Sequence, residues 1–244
     1  MSALTWVDGL RGLKMRAMAE RFARQEGSGD ARAFVERLAE GVVAEAEARA
    51  QRAMERRCVQ ARVPSAVGPE DVRYAPGRGF LKRELQEFLD VRWVREHEHL
   101  VLTGASGRGK TFLASVLANL VLRAGLTVRF YDVPDLLGEW AAYDANGELP
   151  RFRRLLARTD LLVLDDWGHR DEPLDRKDVG VLRRVVLPAL EKRSVLVVAK
   201  SPPEAWSDWL GGGDTAEELC DWFSRVPHRL DFKGPSMRER KQRK

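Results

Sequence analysis

The second half of the chain alternates two kinds of pattern. Short apolar runs stand at LVLT (100–103), LTVRFYD (126–132), LLVLDD (161–166), SVLVVAK (194–200) and RLDF (229–232), with helical spacing between them. Nearly unbroken apolar strands separated by helices predict an α/β fold with a parallel sheet covered on both faces. Behind the first run, Leu113, Val116, Leu117, Leu120 and Val121 fall on one helical face, and Gly125 is placed to cap that helix.

Residues 1–60 read as helix. Leu10, Leu13, Ala17 and Met18 keep helical spacing over about 4–25, Gly27 and Gly29 interrupt it, and a second helix starts near Asp30 with Phe34, Val35, Leu38 and Val42 on one side. It continues as AEAEARAQRAMERR, strong helix formers with a shallow apolar stripe, expected to lie on something rather than form a core alone. Residues 63–79 hold three prolines and three glycines and read as a linker. A short amphipathic helix with Phe80, Leu81, Leu85, Phe88 and Leu89 follows. The expected organisation is a helical domain over 1–62, a linker over 63–79, an α/β domain over 80–238 and a basic tail over 239–244.

Composition narrows the setting. With 44% hydrophobic residues in 244, the chain is ordinary for a globular protein, and no run approaches the ~18 apolar residues of a membrane span. The start MSALTWVDGLRGLK lacks the apolar core and cleavage site of a signal peptide, so a cytoplasmic location is expected. Cys58 and Cys220 suggest neither a disulfide framework nor a metal cluster and read as packing residues. His97 and His99 in HEH lack a third ligand, which argues against a metal there. The seven tryptophans are scattered, as packing residues would be. The net charge of +5 favours an anionic partner, nucleic acid first, against the plain alternative of a mildly basic surface.

LTGASGRGKTFLAS (102–115) carries the clearest chemistry. Gly104, Gly109, Lys110 and Thr111 complete G-x-x-x-x-G-K-[ST], placed between a predicted strand and a predicted helix. In such a loop, backbone N–H groups close around phosphate oxygens, the lysine reaches the β- and γ-phosphates, and the hydroxyl holds Mg²⁺. The helix N-terminus adds to the field. Gly104, Ala105, Ser106, Gly107, Arg108, Gly109, Lys110, Thr111 and Phe112 are therefore the nucleotide-binding candidates, with ATP and Mg²⁺ as ligands. In DLLVLDDWG (160–168), Asp165 is placed to complete the Mg²⁺ shell and Asp166 to orient or deprotonate water; alternatively, one aspartate merely caps the next loop.

With these motifs placed, the chain resembles the IstB-like family of insertion-sequence transposition ATPases, AAA+ proteins similar to DnaC-type helicase loaders. The likeness runs through GLRGLKMRAMAERF, the phosphate loop and its helix, DLLVLDDWG, PPEAW (202–206) and HRLDFKGPSMR (228–238). It implies a P-loop NTPase of the AAA+ class with a five-stranded parallel sheet of order 5-1-4-3-2, little or no C-terminal lid, and head-to-tail protomers with ATP between neighbours. It implies DNA and a transposase as partners, and makes Arg238 a second nucleotide sensor. Three features depart from the family pattern. Lys200 stands where a polar, uncharged residue helps place the attacking water. It would put a cation near the γ-phosphate or occupy Asp166, unless it turns out to solvent. Trp222 stands where an arginine finger is expected; TAEELCDWFSRV begins with a Thr215–Glu218 capping box, and Leu219, Trp222, Phe223 and Val226 share a face. Trp222 thus reads as a packing residue, in the core or at a protomer contact, and Arg225 as a substitute finger. The charged stretch HRDEPLDRKD and Pro188, inside the next helical pattern, have no functional reading.

Arg49, Arg52, Arg56 and Arg57 on one helix, Arg151, Arg153 and Arg154 after Asn146–Gly147, and the tail MRERKQRK are candidates for phosphate contact, each alternatively a solvated face. The expected function is an ATP-binding helper that assembles on DNA and assists a transposase. A helicase loader, and a nucleotide-binding scaffold that no longer hydrolyses ATP, stay open as alternatives.

Overall fold

A computed structural model describes residues 6–26, 32–74, 77, 79, 82–168 and 172–237. Gly27, Gly29, Asp30, Pro76, Phe80, Leu81, residues 169–171 of the charged stretch, Arg238 and the basic tail lie outside the described residues. The chain divides into two compact units, Met1–Arg56 and Arg57–Lys244, and the division falls within a long helix.

In the first unit, α1 (Trp6–Gly12) and α2 (Arg16–Glu26) are two helices rather than the single one expected, broken where Lys14 takes a φ of +61°. Helix α3 (Phe34–Ala61) meets α2 at Gly41, where a Cβ would stand 2.8 Å from the Phe22 ring. One turn on, buried Glu45 accepts the N–H groups of Ala17 (3.0 Å) and Met18 (3.4 Å) and pairs with Arg49 (2.9 Å) and Arg52 (3.1 Å). A carboxylate thus caps the start of α2, where N–H groups lack helical partners. Burial pushes the Glu45 pKa up, but Arg49 and the two N–H groups outweigh it and leave the group below the usual range. Of the expected first stripe, Met18 is buried but Leu13 is exposed. On α3 the expected stripe is not the buried face: Phe34, Val35 and Val42 are exposed, because close approach at Gly41 and the cap at Glu45 decide which side of α3 faces α2.

The second unit begins with a segment that is fastened down, unlike a free linker. Asn119 donates to the carbonyls of Ser65 (2.8 Å) and Val67 (2.9 Å), and the Asp71 carboxylate holds the Gly68 N–H at 2.8 Å. Helices α4 (Lys82–Leu89) and α5 (Arg92–Arg95) lead into the sheet.

The sheet contains β1 (Leu100–Gly104), β2 (Val128–Asp132), β3 (Leu161–Trp167), β4 (Ser194–Ala199) and β5 (His228–Phe232). All pairings are parallel and the order is β2-β3-β4-β1-β5, the expected order read from the other edge. Between the strands run α6 (Lys110–Arg123), α7 (Val133–Ala145), α8 (Leu149–Ala157), α9 (Arg176–Lys192) and α10 (Asp214–Ser224). Alternate strand residues Leu162, Leu164, Val195, Val197 and Ala199 pack with α7 to α10 in one core. Their neighbours in sequence are buried too, which period-two alternation places on the opposite face. Only β5 alternates buried with open positions, as an edge strand does. Helix α9 contains Pro188 without ending there, and Asp175 caps its start through the Asp178 N–H at 2.7 Å.

Five tryptophans, Trp93, Trp140, Trp167, Trp206 and Trp209, are buried packing residues, while Trp6 and Trp222 are exposed. Cys220 is partly buried, but Cys58 is exposed, so it does not pack as expected. No described helix is long and apolar enough to cross a membrane.

Phe152 is fully buried, stacked on Tyr143 at 4.8 Å and edge-on to Trp140 and Tyr131 at 6.3 and 6.4 Å. Phe152→Ala should cost about 3–5 kcal/mol of stability. Denaturant unfolding of the full chain checks this, with a shifted midpoint and an unchanged slope expected.

Candidate functional site

The C-terminal ends of β1, β3 and β4 converge on one cavity of about 380 Å³. Ser106, Gly107, Gly109, Lys110, Thr111, Phe112, Asp165, Asp166, Trp167 and Lys200 are among its lining residues. Most of the predicted site is therefore one place. Gly104, Ala105 and Arg108 belong to the same loop without lining the cavity.

The loop has its shape because three glycines take left-handed backbone: Gly104 (φ +127°), Gly107 (+77°) and Gly109 (+89°). Gly104 is also the point of closest approach, since a Cβ there would stand 2.3 Å from the Phe232 carbonyl oxygen. Arg108 donates to that same oxygen at 2.7 Å, so its guanidinium braces β5. Gly109 precedes the first turn of α6, whose N–H groups face the cavity end.

Lys110 is buried, and its Nζ donates to the carbonyls of Gly104 (2.6 Å) and Ala105 (3.1 Å). Burial lowers its pKa, Asp165 and Asp166 oppose that, and the Arg108 and Lys200 charges add to it. A buried ammonium held by its own loop is a fixed cation that fits an anionic ligand. The Thr111 hydroxyl donates to the Asp165 carboxylate, which also accepts the Asp166 N–H at 2.8 Å. Burial raises the Asp165 pKa, the Thr111 and Asp166 bonds lower it, and the Asp166 and Asp132 charges raise it again. A hydroxyl and a carboxylate already in contact beneath a glycine loop fit the oxygen set of a phosphate-bound Mg²⁺. Among the described residues no group of three or more His, Cys, Asp and Glu is placed to hold a metal ion. In HEH, His99 Nδ1 instead accepts the Val195 N–H at 3.3 Å.

Asp166 adopts φ +55°, and the β3–β4 register slips between Leu164 and Trp167. The slip turns Asp166 out of the buried strand, while Asp165 and Trp167 stay inside. Strain of this kind persists where its surroundings enforce it. The enforcement is visible: Trp167 packs on Trp206, Trp209 and Phe223 at 5.3 to 5.5 Å between ring centres.

Asp132 and Met237 were missed by the sequence reading. Asp132 pairs in register with Asp165, and burial with the Asp166 and Asp135 charges raises its pKa. The signal was an aspartate ending the second apolar run. Met237 lines the cavity and donates its N–H to the Gly107 carbonyl at 2.8 Å, which no local pattern announces.

On α10 one expectation is corrected, and the positions of Trp222 and Arg225 are now defined. The Thr215–Glu218 capping box does not form: Gly213 at φ +77° precedes the helix, and Glu218 pairs with Arg183 at 2.7 Å. Leu219, Phe223 and Val226 are buried, but Trp222 is 39% exposed and so is not a core residue of this chain. Arg225 is largely exposed beside Asp221 at 3.5 Å and does not line the cavity.

The arginine candidates for phosphate contact separate by their partners. Arg49 and Arg52 neutralise Glu45, and Arg151 pairs with Glu148 at 3.3 Å. Arg153 and Arg154 line a groove with Trp140, Leu149 and Arg184 and carry no ion pair with a described residue. Arg56 is exposed and Arg57 half-buried.

A model of the family described as IstB-like ATP binding protein matches residues 9–244. The chain is 28% identical over 246 residues to the insertion sequence ATP-binding protein y4pL of Sinorhizobium fredii (strain NBRC 101917 / NGR234), covering 100% of both. Its fold is similar to that of the replication initiator DnaA bound to AMPPCP and single-stranded DNA, with a TM-score of 0.58 and 16% identity over 71% of this chain and 52% of that one. The chain thus spans about half of that DnaA chain. It is also similar to the DnaC helicase loader, with a TM-score of 0.52 and 20% identity over 66% of this chain and 94% of that one. At these identities the structural likeness shows the fold alone, a P-loop AAA+ domain.

Lys110→Ala should abolish or greatly weaken ATP binding, and Asp165→Asn should remove the enhancement of binding by Mg²⁺. Calorimetry with and without Mg²⁺ checks both; unchanged affinity in Lys110→Ala would exclude this cavity as the nucleotide site.

Proposed function

Because the chain belongs to the IstB-like ATP binding protein family, we propose that it binds Mg²⁺–ATP in the β1–β3–β4 cavity, assembles on DNA and assists a transposase. The observation that carries this reading is the loop itself: left-handed glycines, a buried lysine, and a threonine in contact with a buried aspartate. In this reading Lys110 binds the β- and γ-phosphates, Thr111 and Asp165 hold Mg²⁺, and Asp166 orients or deprotonates the attacking water. Bound ATP stabilises a head-to-tail oligomer on DNA, and hydrolysis dismantles it. Insertion-sequence relatives such as y4pL favour transposition over helicase loading, although the fold of the DnaC loader is shared.

DNA contact is assigned first to Arg153 and Arg154, since Arg49, Arg52 and Arg151 are engaged by carboxylates. Arg56 and Arg57 remain the N-terminal candidates. Contacts of this type touch phosphate and do not read sequence. Duplex affinity should fall steeply with salt, and Arg153→Ala with Arg154→Ala should reduce the log–log salt slope by about 0.9 per lost contact. Fluorescence anisotropy with a non-hydrolysable ATP analogue measures it. A wild type with no DNA affinity at low salt would favour the nucleotide-binding scaffold.

Hydrolysis is expected to be slow, below roughly 1 per second even with DNA, because Trp222 replaces a finger whose loss costs about 10³–10⁵ in rate in other phosphoryl-transfer systems. Trp222→Arg should raise turnover. The position is 39% exposed, so the melting temperature should barely change. Wild-type turnover at or above that rate would point instead to Arg225 or a partner's arginine.

A further inference from the structure

Helices α7, α8 and α9 leave a groove that shares no lining residue with the nucleotide cavity. It consists of two hollows of about 420 and 250 Å³. Trp140 of α7, Arg153 and Arg154 of α8, and Arg184 of α9 line both. The rest of the lining is mainly apolar: Leu149 and Pro150 belong to one hollow, Val185 and Pro188 to the other. Trp140 is itself buried, edge-on to Phe152, so this floor is part of the packed core.

The rim is cationic. Arg153, Arg154 and Arg184 are exposed, and none forms an ion pair with a described residue. Their neighbours on the same helices behave differently: Arg151 pairs with Glu148 and Arg183 with Glu218. Buried Arg193 donates to the Leu156 carbonyl and braces the wall of the second hollow. Among the described residues of the lining none is acidic.

Pro188 adds an acceptor. It has no N–H, so the Arg184 carbonyl one turn earlier lacks its regular helical donor. Arginine donors, an apolar floor and a backbone acceptor therefore stand together. Phosphate contact would occupy the arginines alone, since a phosphate has neither a donor for the carbonyl nor an apolar part for the floor. A polypeptide segment carries all three complements: carboxylates, an apolar side chain and N–H groups.

We propose that this groove docks an acidic segment of a partner protein, with an apolar side chain seated on Trp140 and Leu149 and carboxylates on Arg153, Arg154 and Arg184. The docking does not depend on nucleotide. It adds a second ligand to the DNA reading of Arg153 and Arg154: segment and phosphate backbone exclude one another at those two residues.

Fluorescence anisotropy on the full chain tests this with labelled peptides of equal length. One has glutamates around a central Trp-Leu-Leu core, one has glutamine in place of glutamate, and one is glutamate throughout. The first should bind about tenfold or more tightly than either of the others, since charge and apolar contact are both required. Arg184→Glu should weaken it by about tenfold or more and Leu149→Ser by about threefold or more. Duplex DNA affinity should stay within about twofold in Leu149→Ser, because phosphate contact does not use the floor. Equal binding of the glutamate-only peptide would overturn the proposal by reducing the groove to charge. No binding of the first peptide, or binding untouched by Arg184→Glu, would overturn it as well. Loss of DNA affinity in Leu149→Ser would overturn it in favour of nucleic acid in the groove. The DNA reading keeps its own salt-slope test, in which neither Arg184 nor Leu149 takes part. Melting temperatures accompany the titrations, and Pro150→Ser, at an exposed position, replaces Leu149→Ser should the latter fail to fold.

Discussion

Gly104 has no room for a side chain, and the phosphate loop depends on that. A Cβ there would stand 2.3 Å from the Phe232 oxygen, its N–H donates to the Lys200 carbonyl, and its carbonyl receives the Lys110 ammonium. A single residue therefore sets the distances between β4, β1 and β5 at the cavity floor. Any larger residue would need both left-handed backbone and a shift of the edge strand. The geometry of Lys110, and with it the electrostatics of the site, follows from that close approach.

A second constraint acts from the opposite side of the cavity. The Trp167, Trp206, Trp209 and Phe223 rings lock the end of β3, so the chain absorbs the extra backbone length at Asp166. Tight packing of large side chains and a strained polar residue are two aspects of one arrangement. The hydrophobic core thereby decides where a carboxylate points, even though that carboxylate is not part of the core.

The sheet was legible in the sequence because burial on both faces writes unbroken apolar runs, and the phosphate loop because its mechanism demands glycine, lysine and threonine at fixed spacing. Asp165 was legible for the same reason. The buried side of α3 was not, since a glycine and a capping glutamate chose it and both look hydrophilic in a hydrophobicity pattern. Helical phase did not decide between the two places expected for Trp222: it flanks the buried Leu219–Phe223 side without joining it, which excludes the core of this chain only. Asp132 gained its place from strand pairing, a long-range relation that local pattern does not carry. The arginines could be ranked only once their carboxylate partners were in view.

The strand order also says something about how the chain comes into being. β1 is made first among the strands, yet its neighbours in the sheet are β4 and β5, the last two. Thr103 at its end bonds Asp231 across 128 residues of sequence. During synthesis the phosphate loop has no floor until β5 has emerged. Contacts so distant in sequence close slowly. The part of the molecule most recognisable in its sequence is thus among the last to acquire its shape, and a nascent chain stopped before β5 would carry the motif without the site.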